Sequence, residues 1–178
     1  MNDPRAILLS LSSLALLACS TVSIESQVHS TPAPAFSRTL VVVALPDAVR
    51  RPAEDALVAR LASLHARTSY EHVPLAPGVT LGALREAARR DGFDGLLVVW
   101  PADMTSKTYP SLGNNSNFPV TNSLQVGMRL VASLTSLGDD REIWKGVVTN
   151  RDAAPLVKGT PKMAASLADR LVSDGVAN

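Results

Sequence analysis

Acidic pairs and histidines are the residues of this chain whose types and spacing could do chemistry. His65 and His72 flank the end of an amphipathic segment, where two imidazoles could bind a metal or sit as surface residues at a helix end. Glu71 beside His72 would form an acid/base pair, but neighbours on a strand point to opposite faces. Asp91 and Asp94 bracket Gly92-Phe93, and two carboxylates facing one cleft with different pKa values could act as acid and base. The plainer reading makes Gly92 a helix stop, Phe93 a packing residue and Asp94-Gly95 a turn into a strand. Asp139, Asp140 and Glu142 read as a solvated hairpin tip, and Arg50-Arg51 and Arg89-Arg90 as solvated helix faces. The hydrolase elbow, the phosphate-binding loop, the H-E-x-x-H zinc pattern and the EF-hand pattern are all absent. No catalytic, cofactor-binding or metal-ligating residue is therefore expected. A ligand site, if the chain has one, belongs at the carboxyl ends of the central strands, with Asp47, Asp103 and Lys107 as its polar candidates. A glycan or small-ligand pocket would use Trp100 and Trp144, although Trp144 reads more simply as a sheet residue packed under a helix.

One further residue carries chemistry of another kind. Ala6 to Ala18 form an uncharged run with six leucines, too short for the ~20 residues that cross a bilayer. Cys19, the only cysteine, closes it. A signal cut before Thr21, with Ala18 and Ser20 as the small residues, is one alternative. Leu16-Leu17-Ala18-Cys19 resembles the lipobox of bacterial lipoproteins. That resemblance implies diacylglycerol and a further acyl chain on Cys19, and several chains hold a protein stably where one does not. Ser20 in place of Asp implies sorting to the outer membrane, with the domain facing the periplasm. The expected organisation is a signal peptide over 1–18, a lipid-anchored flexible tether over 19–38 and one α/β domain over 39–178.

Composition narrows the function classes. The net charge of +1 leaves no electrostatic footprint for nucleic acid. A single cysteine excludes a disulfide framework within the chain. Aromatic residues are 4% of the chain, so its core must be aliphatic.

The elements follow from periodicity. Thr39–Leu45 and Gly95–Trp100 are continuous apolar runs, the mark of strands buried on both faces. Between them lie a helix beginning near Pro52, with Glu54 and Asp55 favourable at its positive end and Leu57, Leu61 and Leu64 in one stripe, a short strand over Tyr70–Leu75, and a helix capped by Thr80 and stopped by Gly92. Val126 to Leu134 alternate, and Gly138-Asp139-Asp140 turn them into Ile143–Val148. Thr160 and Pro161 open a last helix that Gly175 ends. The expected fold class is α/β (α+β): a mixed sheet in the order βαβαβ, β-hairpin, α, with helices packed on it. In element order, and with Ile143-Trp144-Lys145-Gly146 in the second hairpin strand, residues 39–175 resemble a group of small envelope domains. These are the curli-secretion lipoprotein, the lipoprotein activators of penicillin-binding proteins and the amino-terminal domain of TolB.

Met104–Asn122 is long for a connection without periodic structure, and such segments are often functional. Tyr109, Leu112, Asn114, Asn115 and Phe118 offer aromatic anchors among adaptable polar groups, so they are the candidate partner-binding loop. The alternative is that Tyr109 and Phe118 only pin the loop to the domain. The expected function is a non-enzymatic accessory or assembly lipoprotein, whose partners are the membrane through Cys19 and another envelope protein or copies of itself. An envelope enzyme or a small-ligand binder is the alternative.

Overall fold

The computed structural model describes residues 22–30, 32–73, 79–107, 125–154 and 156–177, without the side chains of 103–107, 125–127, 151–154 and 156–157. Six strands form one mixed sheet. They are β1 (Val22–Val28), β2 (Thr39–Val43), β3 (Ala66–Thr68), β4 (Gly95–Lys107), β5 (Gln125–Ser136) and β6 (Arg141–Ala154), in the spatial order β1-β6-β5-β4-β2-β3. β2 runs parallel to both β3 and β4, whereas every other pairing is antiparallel. The helices are α1 (Asp47–Val58), α2 (Leu81–Arg90) and α3 (Leu156–Ser173).

The apolar runs split between two cores because alternate strand residues point to opposite faces. Val41, Val43, Leu97 and Val99 join Leu130, Leu134 and Trp144 beneath α1 and α3, which supply Leu57, Met163, Leu167 and Leu171. Leu40, Val42, Leu96 and Val98 face the other way, where Leu84 and Ala88 of α2 cover them with Phe93 and Leu137. The mixed α/β fold with helices on the sheet is the expected one.

Its boundaries differ from expectation in five places. Val22–Val28, expected within the tether, is a full strand that pairs with Trp144–Asn150 along its whole length. Val22 and Ile24 point inward, but the next inward position is Ser26, so the apolar alternation breaks off after two residues. α1 begins at Asp47, one turn before Pro52. The Pro46 carbonyl accepts from the Val49 and Arg50 amides at 2.8 and 2.9 Å, and the helix tolerates the single backbone bond that Pro52 cannot make. The short strand is Ala66–Thr68 rather than Tyr70–Leu75, because the Ser69 and Tyr70 amides turn to a carboxylate of α1. β4 runs on through Pro101 to Lys107, into the segment expected to be a connection. β2 has ended opposite Val99, so from there β4 has no strand neighbour on that side among the described residues, and Pro101 breaks no ladder with them. α3 starts at Leu156, one turn before Thr160.

Candidate functional site

The carboxyl ends of β2 and β3 hold a buried polar cluster built around Glu54. Glu54 lies on the same stripe of α1 as Leu57, and it is fully buried. Its Oε1 accepts from the Val43 amide at 3.0 Å and the Ser69 hydroxyl at 2.6 Å. Its Oε2 accepts from the Ser69 amide at 2.8 Å and, more weakly, from the Tyr70 amide at 3.4 Å. One side chain thus joins α1, the end of β2 and the turn after β3. Burial raises the carboxyl above its ordinary 4.5, and the donors of Ser69 and Val43 and the charge of Arg50 offset only part of that rise.

Arg50, one turn earlier, is 5% exposed. It reaches the exposed carboxylate of Asp47 at 3.0 Å, while its Nε is buried without a partner. Above the cluster the exposed Tyr70 hydroxyl donates to Asp55 at 2.5 Å, a bond that raises the phenol pKa, and the Arg51 guanidinium lies 5.3 Å over the Tyr70 ring. Glu54 was legible as a helix-terminus charge and not as a core group. The available signal was its spacing of three and seven residues from Leu57 and Leu61. Chemically, the cluster works as a clamp. Both oxygens of Glu54 are engaged by protein donors, which leaves this carboxylate no directed acceptor for a substrate proton.

A second node sits at the opposite edge of the sheet, beside β1. Asp174, following α3, accepts at Oδ2 from the Trp144 indole at 2.8 Å and the Ser26 hydroxyl at 2.6 Å, and Oδ1 lies 3.0 Å from Arg170. The Arg170 Nε also donates to the Ser26 hydroxyl oxygen at 2.7 Å. Burial raises the Asp174 carboxyl, but the Ser26 and Trp144 bonds and Arg170 outweigh it and hold the group below its ordinary 3.8. The inward polar position that hid β1 in the sequence is what ties β1 to the domain.

Other candidates resolve into structural roles. Trp144 is fully buried beneath α3, and a Cβ on Gly146 would collide with its ring. Trp100 packs on the opposite face of the sheet, so the two indoles line no common pocket. Asp94 accepts from the Ser37 amide and hydroxyl at 2.8 and 2.7 Å and from the Arg38 amide at 2.9 Å. These bonds outweigh its burial and hold its pKa below 3.8. Gly92, in the left-handed region at φ 78°, ends α2 above the buried Phe93. The hairpin tip is paired as well as solvated: Arg89 holds Asp140 and the Leu137 carbonyl, and Arg141 pairs with Asp139. His72 packs edge-on against Phe93, His65 takes a left-handed turn at φ 48°, and His29 lies 3.3 Å from Glu142. No group of three or more His, Cys, Asp or Glu able to hold a metal occurs among the described residues. Nor is any helix among them long and apolar enough to cross a membrane, which says nothing of a β-barrel. Cys19, Tyr109, Leu112, Asn114, Asn115 and Phe118 lie outside the described residues, as do the side chains of Asp103 and Lys107.

The sheet leaves part of one face open. α2 covers one face only over β2 and β4. The remainder of that face exposes Ser23, Glu25 and Gln27 of β1, Lys145 of β6 and Arg129 of β5, with Val131, Val147 and Thr149 half-buried between them. Glu25, Gln27, Lys145 and Val147 line a shallow groove where β1 meets β6.

No protein-family model matches this chain, and no curated protein matches it in sequence. Solved structures do. The PelC dodecamer from Paraburkholderia phytofirmans superposes with a TM-score of 0.54 at 14% identity, over 84% of this chain and 96% of that one. TolB from Acinetobacter baumannii matches over 88% of this chain and 32% of its own, with a TM-score of 0.44 and 10% identity. Lipoprotein GNA1162 from Neisseria meningitidis matches over 79% and 99%, with a TM-score of 0.42 and 11% identity. TolB was among the proteins that the element order pointed to. At these identities the likeness is one of fold, and the fold that this chain shares with PelC extends over nearly the whole of that protein.

Proposed function

We propose that this chain is an envelope lipoprotein, acylated at Cys19 and held on the periplasmic side of the outer membrane, that works without catalysis by assembling with copies of itself. The observation that carries the reading is the half-open sheet face beside β1, on a fold shared with a protein whose solved structure is a dodecamer. An antiparallel sheet commonly leaves one face in water, but here polar residues alternate with the half-buried Val131 and Val147. That mixture suits an interface with a polar rim and a small apolar centre. The Leu16-Leu17-Ala18-Cys19 motif supports the lipid anchor, and the outer membrane follows from Ser20.

The test uses the full chain made in a diderm bacterium and extracted in mild detergent. Light scattering after size exclusion should give a mass several times that of one mature protomer, residues 19–178, beyond the detergent contribution. Val147→Arg, which places a charge at the centre of the open face, should reduce the assembly to monomers while the far-ultraviolet spectrum stays unchanged. Cys19→Ala should move the protein from the membrane fraction to the soluble one. A chain that is monomeric at every concentration would overturn the assembly reading.

A further inference from the structure

We infer that the end of the sheet formed by the start of β1, the end of β6 and the β4–β5 arm is the end that faces the bilayer surface at close range. The inference rests on the reading that Cys19 carries the lipid. Only Ser20 and Thr21 separate Cys19 from Val22, the first residue of β1. Three peptide steps span at most about 11 Å, so the anchor has almost no slack. β1 cannot supply any. All seven of its residues pair with β6, and Ser26 is bonded to both Arg170 and Asp174. The chain after β1 leads into the domain, so residues 29–38 add nothing to the reach of the lipid.

The register then decides which end of the domain meets the membrane. Val22 pairs with Asn150, Asn150 with Met128, and Met128 with Met104. The same antiparallel ladder continues to Lys107 opposite Gln125, three residues beyond that level. At ~3.3 Å per residue the β4–β5 arm therefore projects about 10 Å past the start of β1. That is the same distance Cys19 itself can reach. The described part of the arm and the lipid leave the same end of the sheet, so that end faces the headgroup layer at close range. Ala102, exposed at the irregularity between Pro101 and Asp103, lies near this end. Gly138, at the β5–β6 turn, lies at the other: residues 129 to 138 place it about 30 Å farther from the membrane. The occupant facing this end is therefore the lipid headgroup layer.

The experiment places single cysteines for a fluorophore at Ala102 or at Gly138, where an added Cβ meets open space. An acylated Cys19 does not react, so each label is unique. The full-length lipidated chains are reconstituted into vesicles of phosphatidylethanolamine and phosphatidylglycerol containing a headgroup-spin-labelled lipid. The label at residue 102 should be quenched at least threefold more than the label at residue 138. Ten Gly/Ser residues inserted between Thr21 and Val22 should abolish most of that difference while the chain remains vesicle-bound. Equal quenching of the two labels in an acylated, uninserted chain would overturn this inference and leave the anchor reading intact. A mature mass without acyl chains would overturn the anchor reading, and this inference with it.

Discussion

Replacing Glu54 by Gln keeps its shape and removes its charge, and the geometry of the clamp fixes the direction of the effect. Four donors converge on the two carboxylate oxygens, and no acceptor faces them. A glutamine amide can satisfy the Val43 amide and the Ser69 hydroxyl with its oxygen. Its NH2 then confronts the Ser69 and Tyr70 amides, donor against donor. Each buried group left unpaired costs roughly 1–3 kcal/mol, and since the Tyr70 bond is long the total should be about 2–4 kcal/mol. Glu54→Ala should cost more, about 3–5 kcal/mol, because it also leaves the buried Arg50 without its nearest opposing charge but for the exposed Asp47. Urea denaturation at neutral pH measures both, with the exposed Glu86→Gln as a control expected within about 0.5 kcal/mol of wild type. The pH dependence adds a second check. Burial raises the folded pKa of Glu54 above its ordinary 4.5, so the folded state holds this proton more tightly than the unfolded state does. Stability from this group is fully present below 4.5 and declines as pH rises through the folded value. The advantage of wild type over the Gln variant should therefore be largest at low pH, shrink through that window and then level off. A Gln variant within about 0.5 kcal/mol of wild type would refute the clamp, and an advantage that grows with pH would refute the dominance of burial over the donors in setting the Glu54 pKa.

Gly146→Ala should destabilise the domain by about 1–3 kcal/mol, since the new methyl meets the Trp144 ring in a closed core; thermal unfolding followed by tryptophan fluorescence reads it. Asp174→Asn weakens the bonds to Ser26 and Trp144, so hydrogen exchange should lose protection first in β1 and only later in β2. Asp94 has a lowered folded pKa, so its contribution is present above its ordinary 3.8 and lost as pH falls through the folded value. The acid limb of unfolding should accordingly flatten in Asp94→Asn, measured as urea midpoints at several acid pH values.

The central architecture was legible because it rests on local periodicity. Thr39–Val43 and Gly95–Val99 are apolar on both faces, and they became the two parallel strands at the centre of the layers. Leu57 and the stops at Gly92 and Gly175 placed helices whose ends depend on a few neighbouring residues, although Leu61 and Leu64, read in the same helical stripe, lie past the end of α1 at Val58 and are buried from the turn that follows it. The fold class likewise follows from the order of elements.

What only the tertiary structure decided concerns polar groups whose partners lie far along the chain. Ser26 made β1 look like tether, since nothing in residues 22–28 announces that Asp174, 148 positions away, accepts its hydroxyl. Glu54 looked like a surface charge at a helix start because burying a carboxylate is costly unless donors surround it, and those donors come from β2 and from the turn at Ser69. The apolar run of β4 ended at Trp100, whereas the absence of a β2 neighbour at that level let the strand continue through Pro101. Apolar burial is non-directional and leaves its period in the sequence. A buried hydrogen bond needs one particular donor at one particular place, and only the folded chain brings the two together.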